Sequence, residues 1–231
     1  MAFDSAPGAG PAAGTGCPHQ KDAAQLGIFL IDLLPSDMER RLGEALGVYV
    51  EAMGYPRGTE IQRAAMWLEH ARRPGWKGVA AVETSPETSP QTIPEAGPPS
   101  ATQLGAAPLL GVAYGYPGAP GQWWQQQVML GLHRGGWPPE RVAALMNSYF
   151  ELTELHISPG AQGRGLGEAL ARRLLSGRPE ENVLLSTPET AGEPNRAWRL
   201  YRRLGFTDVI RDYHFAGDPR AFAVLGRGLP L

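Results

Sequence analysis

Residues 151–170, ELTELHISPGAQGRGLGEAL, constrain the fold more than any other stretch of this chain. A run with strand-like alternation stops at Pro159, passes through four glycines and continues as an amphipathic helix. A helix entrance exposes about four unpaired N–H groups and roughly half a positive charge, so it attracts anions by construction. Gly163, Gly165 and Gly167 carry no Cβ atoms that would keep a pyrophosphate off the backbone, and Arg164 can add a point charge. The same glycines would equally serve a tight strand-to-helix turn. No Gly-Lys-Ser/Thr follows, which excludes a Walker loop, and the G-x-G-x-G spacing late in the chain does not fit a dinucleotide fingerprint.

Composition narrows the classes of partner. The formal net charge is −2 over 231 residues, so there is no basic excess for a nucleic-acid backbone, and small molecules or proteins are the expected partners. The run GIFLIDLL is interrupted by Asp32 and is too short to span a bilayer, so no membrane association is expected. The sole cysteine, Cys17, cannot form an internal disulfide, which suits a reducing, cytoplasmic address and a monomer or homodimer.

The chain reads as one domain over residues 25–231, preceded by a Gly/Pro-rich tail at 1–24. Residues 84–108 hold six prolines and read as a disordered loop between two strands, and 118–148 form a Trp-rich insertion. The spacing predicts a strand at LGIFLIDL, a helix capped by Ser36 with Glu39, and a second capped by Thr59 with Gln62 and faced by Ile61, Ala64, Ala65 and Leu68. GVAAVE and PLLGVAYGY follow as strands, and a helix starts at Pro138 and Pro139. YFELTELHI, NVLLSTP and AFAVLGRGL are strands separated by helices from Gly165 to Leu175 and at NRAWRLYRRLGF. An antiparallel start followed by alternating strands and helices makes the fold class α/β with a mixed sheet.

The run LHISPGAQGRGLGEAL, followed after one strand by AWRLYRRLGF, resembles the acetyl-coenzyme A signature of the GCN5-related N-acetyltransferase (GNAT) superfamily. The matching positions are Leu155, Ile157, Pro159, Gln162, Gly165 and Gly167, then Leu200, Tyr201, Gly205 and Phe206. Two separated motifs in the right order cover about residues 149 to 225. A Gly- and Pro-rich composition, pointing to a high-GC coding sequence, suits a bacterial, actinobacterial member. The resemblance implies a GNAT-like mixed sheet with antiparallel N-terminal strands and a splayed parallel pair, flanked by helices. It also implies acetyl-CoA as co-substrate and a primary amine as acceptor, either a small amine or a protein lysine or N-terminus. Transfer would be by direct attack in a ternary complex, since no cysteine nucleophile is placed.

By the same resemblance Gln162, Gly163, Arg164, Gly165, Leu166 and Gly167 hold the pyrophosphate. Leu155, His156 and Ile157 offer backbone to the pantetheine arm. Many members have a coenzyme-binding asparagine seven residues before the motif tyrosine; here that position is Pro194, and Asn195 is the candidate one step later. Tyr201 is the expected acid for the leaving thiolate, and Glu151 the expected base, with Glu154 in reserve. Strict alternation places Glu151, Thr153, Leu155 and Ile157 on one side and Glu154 with His156 on the other. The five histidines show no ligand spacing, so no metal is expected. Trp123, Trp124 and Trp137 belong to the core, or wall an acceptor site or an interface. A rival reading is a non-catalytic module that senses acyl-CoA and regulates a partner protein.

Overall fold

The structure, a computed structural model, describes residues 27–84, 99–189 and 196–231. The order is β1 (Gly27–Leu33), α1 (Pro35–Arg40), α2 (Leu42–Met53), α3 (Thr59–Ala71), β2 (Lys77–Thr84), α4 (Ala101–Ala106), β3 (Leu109–Pro117), α5 (Trp123–Arg134), α6 (Pro139–Asn147), β4 (Tyr149–Ile157), α7 (Leu166–Leu175), β5 (Asn182–Pro188), α8 (Arg196–Arg203), β6 (Thr207–Tyr213) and β7 (Phe222–Gly228). One seven-stranded sheet runs β1-β2-β3-β4-β5-β7-β6. Every neighbouring pair is antiparallel except β4 with β5. The α/β class with a mixed sheet is as expected; the parallel pair joins the first residues of β4 to β5, and the glycine loop leaves from the other end of β4.

Alternation along the strands separates the two faces. Phe150, Leu152, Val183, Leu185, Ala223 and Leu225 point into a core shared with Leu170, Leu174, Leu200 and Tyr201 of α7 and α8. On the opposite face Val112, Tyr114 and Tyr116 pack under α2 and α3, with Tyr49 and Trp67. The second half of that face is covered by α5 and α6, where Trp124, Val128 and Val142 meet Tyr149, Leu184 and Val224. Two helical groups therefore cover one face, one on each side of the β4/β5 junction.

Several local expectations need correction. Helix α1 begins at Pro35, and its first turn is closed by Asp37, whose carboxylate accepts from the Leu34 N–H at 2.9 Å, so Ser36 and Glu39 form no box. Helix α3 starts from Gly58, a left-handed residue at φ 98° whose N–H donates to Glu60 at 2.8 Å, while the Thr59 hydroxyl turns back to Pro56 O. Its inward face is Trp67, His70 and Ala71; Ile61 is 79% exposed. The Pro-rich stretch is not loop throughout, because Ser100 and Gln103 cap α4 reciprocally. Arg41 and Glu44 hold that return, the guanidinium donating to Ala107 O and the carboxylate accepting from Leu109 N–H, both at 2.5 Å. Strand β6 and helix α5 were not expected; β6 is a polar edge strand whose pairing with β7 slips twice. The tail at 1–24 lies outside the described residues.

Candidate active site

The site begins with a break in register. Tyr114 pairs with Glu154, but its neighbour Gly115 pairs with Leu152, so Thr153 is an extra residue in β4. A bulge of this kind bends its strand and re-aims side chains. Gly115 permits it: a Cβ there would lie 2.1 Å from the Glu151 carbonyl oxygen and 2.5 Å from the Phe150 ring. The bulge corrects the alternation expected for β4. Leu152, Leu155 and Ile157 all face the α7/α8 core, and Glu151 is turned to the other side, toward Tyr116 and the face that carries Glu154 and His156.

The same bend opens the sheet. β4 and β5 pair over only three positions, ending at Glu151 with Leu184, so residues 152–157 have no β5 partner. A strand edge that β5 does not pair is thereby presented at Leu155–Ile157, with the Ile157 carbonyl taken by the Gln162 side chain.

Glu151 is almost completely buried. Tyr116 donates its hydroxyl to Oε1 at 3.3 Å, and Thr153 Oγ1 lies 3.5 Å from the same atom. Oε2 is buried and has no hydrogen-bond partner among the described residues. Burial raises the carboxyl to about 8, against the pull of the Arg73 guanidinium and the hydrogen bonds from Tyr116 and Thr153. Arg73 stacks over the Tyr116 ring at 4.5 Å. His70 bonds the Tyr114 hydroxyl through Nδ1 at 3.1 Å, and burial lowers it to about 4, so it is neutral at physiological pH.

Glu154 and His156 form a second pair, 2.5 Å apart through Nε2, with only 15% and 11% of their side chains exposed. The imidazole meets Tyr49 edge-on at 4.9 Å and stacks on Trp67 at 6.4 Å. The His156 ring is therefore committed to the face covered by α2 and α3.

Tyr201 lies in α8 against Phe206, ring centroids 5.6 Å apart. Burial raises its hydroxyl well above the ordinary value, and the Glu154 charge adds to this, so the phenol stays protonated.

The glycine loop follows a 3-10 turn at Pro159–Ala161. Gly163 and Gly165 hold φ of 81° and 80° with open space where a side chain would stand. Gly167 is bare for the other reason, since a Cβ would come within 3.1 Å of Leu200, and this close approach packs α7 on α8. Gln162 donates to Ile157 O at 3.0 Å and accepts from Arg196, joining loop, strand end and α8. Leu166 turns its side chain into the core, so the loop offers backbone. Arg164 stands at the loop but is shared with Glu83 at 3.6 Å. Asn195 lies outside the described residues.

Tyr116, Tyr49, Trp67 and His70 were missed from sequence. Tyr114 and Tyr116 sit two apart on a strand and must share a face, a signal that was available. Trp124 and Trp137 belong to the α5/α6 core, whereas Trp123 is 51% exposed beside Phe215. Among the described residues no group of three His, Cys, Asp or Glu could hold a metal ion, and no helix is long and apolar enough to cross a membrane.

A sheet that parts beside a bulged strand, with a glycine loop opening onto a helix at that strand's end, is the architecture of an acetyltransferase, and the chain belongs to the GNAT family. The sequence model described as "Acetyltransferase (GNAT) family" matches residues 113–206. The GCN5-like protein acetyltransferase Rv2170 of Mycobacterium tuberculosis is 73% identical over 206 residues, covering 89% of this chain and all of the relative. Its mycobacterial source fits the actinobacterial origin expected from composition. Among solved structures, a GNAT-family acetyltransferase from Desulfovibrio desulfuricans superposes with a TM-score of 0.53 at 12% identity, covering 87% of this chain and 99% of that one. Arabidopsis thaliana NAA60 in complex with acetyl-CoA gives 0.51 at 16% identity, covering 88% and 99%. These two share the fold. The GNAT family uses acetyl-CoA.

Proposed function

We propose that this chain transfers the acetyl group of acetyl-CoA to a primary amine of a protein, a lysine or an N-terminus, by direct attack in a ternary complex. The observation that carries this reading is the parting of β4 from β5 immediately beyond Glu151, with Tyr201 of α8 on the other side of the sheet. The residues present suit acetyl-CoA. The open, left-handed Gly163 and Gly165 leave the 162–167 amides accessible to a pyrophosphate, and the unpaired edge at Leu155–Ile157 suits an arm rich in amides. Bound there, acetyl-CoA supplies an activated acetyl group as a thioester.

The protein's part is to manage protons. A lysine-type amine has a pKa near 10.4, so on the order of one part in a thousand is free base at pH 7. Glu151, raised to about 8, keeps its own proton through much of the neutral range and acts as base through its ionised fraction, which grows as pH rises toward 8. Its buried Oε2, without a protein partner, suits a bridging water as the route by which that proton arrives. Tyr201 keeps its proton until a thiolate forms and can then donate it. The preference for a protein acceptor rests on the relative, which is itself a protein acetyltransferase.

The test is thiol release from acetyl-CoA with lysine-containing and free N-terminal peptides, set beside polyamines and amino acids, with the product located by mass spectrometry. Acetyl-peptide formation is expected. Tight acetyl-CoA binding without turnover of any acceptor would leave a sensor instead.

A further inference from the structure

We propose that Glu154, held by His156, is the seat of the acceptor's ammonium group, a cation-binding position inside the β4/β5 opening. This rests on the acetyl-CoA reading above. An amine reaching the site near pH 7 arrives almost wholly as the cation, so it must be received before it is deprotonated. Glu151 cannot receive it, being 4% exposed with one oxygen sealed and the other turned to Tyr116.

Glu154 has the properties Glu151 lacks. It is beyond the last β4/β5 pair, where the strand edge is open, and it keeps partial access to solvent. Its recorded partner is a histidine ring that engages Oε2 alone, so Oε1 is available to a donor. The imidazole fixes the carboxylate through its Nε2 contact to that one oxygen. Among the described residues no lysine or arginine forms an ion pair with Glu154, although the enzyme pairs arginines with carboxylates freely elsewhere. A carboxylate this little exposed, with a histidine as its one side-chain partner among the described residues, can take a cation on its second oxygen.

Its position follows from the strand: Glu154 pairs with Tyr114 across the β3/β4 ladder, its histidine meets Tyr49 edge-on, and Glu151 lies three residues back on the same face of β4. His70 and Arg63 also face this region; His70 is neutral near pH 7, and Arg63 lies over the Tyr49 ring at 5.8 Å rather than on the carboxylate. Aromatic surfaces of Tyr49 and His156 flank the carboxylate, which suits an alkyl-ammonium.

The test needs no knowledge of the natural acceptor. Two coenzyme A thioethers are compared by calorimetry: S-(2-aminoethyl)-CoA, which carries an ammonium two carbons from sulfur, and S-(2-hydroxyethyl)-CoA, its neutral counterpart. Wild type should prefer the ammonium form by at least about tenfold, the scale of a charge-assisted hydrogen bond. Glu154→Gln should abolish that preference while binding the hydroxyl form unchanged, which also reports that the variant is folded. Equal affinity of wild type for both compounds, or a preference that survives in Glu154→Gln, overturns the ammonium seat and leaves the acetyl-CoA reading standing. If neither compound binds wild type, the acetyl-CoA reading falls and the seat with it.

Discussion

Replacing Glu151 with Gln keeps the shape of a buried side chain and removes its ionisation, and the consequence for stability has a definite sign. In the folded protein this carboxyl titrates at about 8, against an ordinary value of 4.5 for the unfolded chain. Between those values the native state holds a proton that the unfolded state releases, so wild type loses stability as pH rises, by about 1.4 kcal/mol per unit. The contribution is complete below the unfolded value and gone above the folded one. Glu151→Gln has no such dependence. From about pH 6 to about pH 8 the wild type should therefore fall by roughly 2–3 kcal/mol relative to the variant. For a domain of this size each kcal/mol moves Tm by about 2–4 °C, so the gap between the two melting curves should widen by roughly 5–10 °C. Thermal melts of both proteins in matched buffers across this range provide the assay, and activity lost in the variant at every pH completes the pattern. Melting temperatures that run parallel across the range would refute a buried, raised carboxyl at this position.

Other consequences follow from the same geometry. Tyr201→Phe keeps the ring packed on Phe206 and removes the proton donor, so kcat should drop on the order of a hundredfold with the fold intact by circular dichroism. Gly115→Ala forces a Cβ against the Glu151 carbonyl and the Phe150 ring; it should cost about 2–3 kcal/mol in denaturant unfolding and lower activity by disturbing the bulge, while Gly43→Ala, in an open helical position, should stabilise by about 0.5–1 kcal/mol. Gln162→Ala unties the loop from Ile157 O and from Arg196, so KM for acetyl-CoA should rise severalfold, with kcat little changed.

Much of the architecture was legible because it depends on local patterns. The run at 149–157 reads as a strand, the glycines at 163, 165 and 167 mark the entry to α7, and Leu200 and Tyr201 of α8 are buried together with Leu204 in the turn that follows it. Helix starts were misread because Ser36 and Thr59 have capping chemistry, whereas the chain enters those helices through Asp37 and a left-handed Gly58. Strand β6 escaped notice because an irregular edge strand need not alternate cleanly. The side taken by Glu151 was not readable at all. It depends on a bulge at Thr153, and the bulge depends on what opposes it: Gly115 in a strand more than thirty residues earlier, where only a missing side chain lets the backbones approach. The Glu154–His156 pair was close to legible, since residues two apart in a strand share a face, but that no lysine or arginine among the described residues pairs with Glu154 is a property of the tertiary fold.

Direct transfer between two bound substrates is the centre of this account, and initial velocities measured with acetyl-CoA and a lysine peptide varied together test it most directly. Among the described residues there is no cysteine to carry an acetyl group, and the proposed mechanism gives Glu151 and Tyr201, both raised by burial, the proton transfers. The expected double-reciprocal plots intersect, and protein incubated with radiolabelled acetyl-CoA alone retains no covalent label. Parallel lines together with a labelled protein would contradict direct attack and require an acetyl-enzyme intermediate.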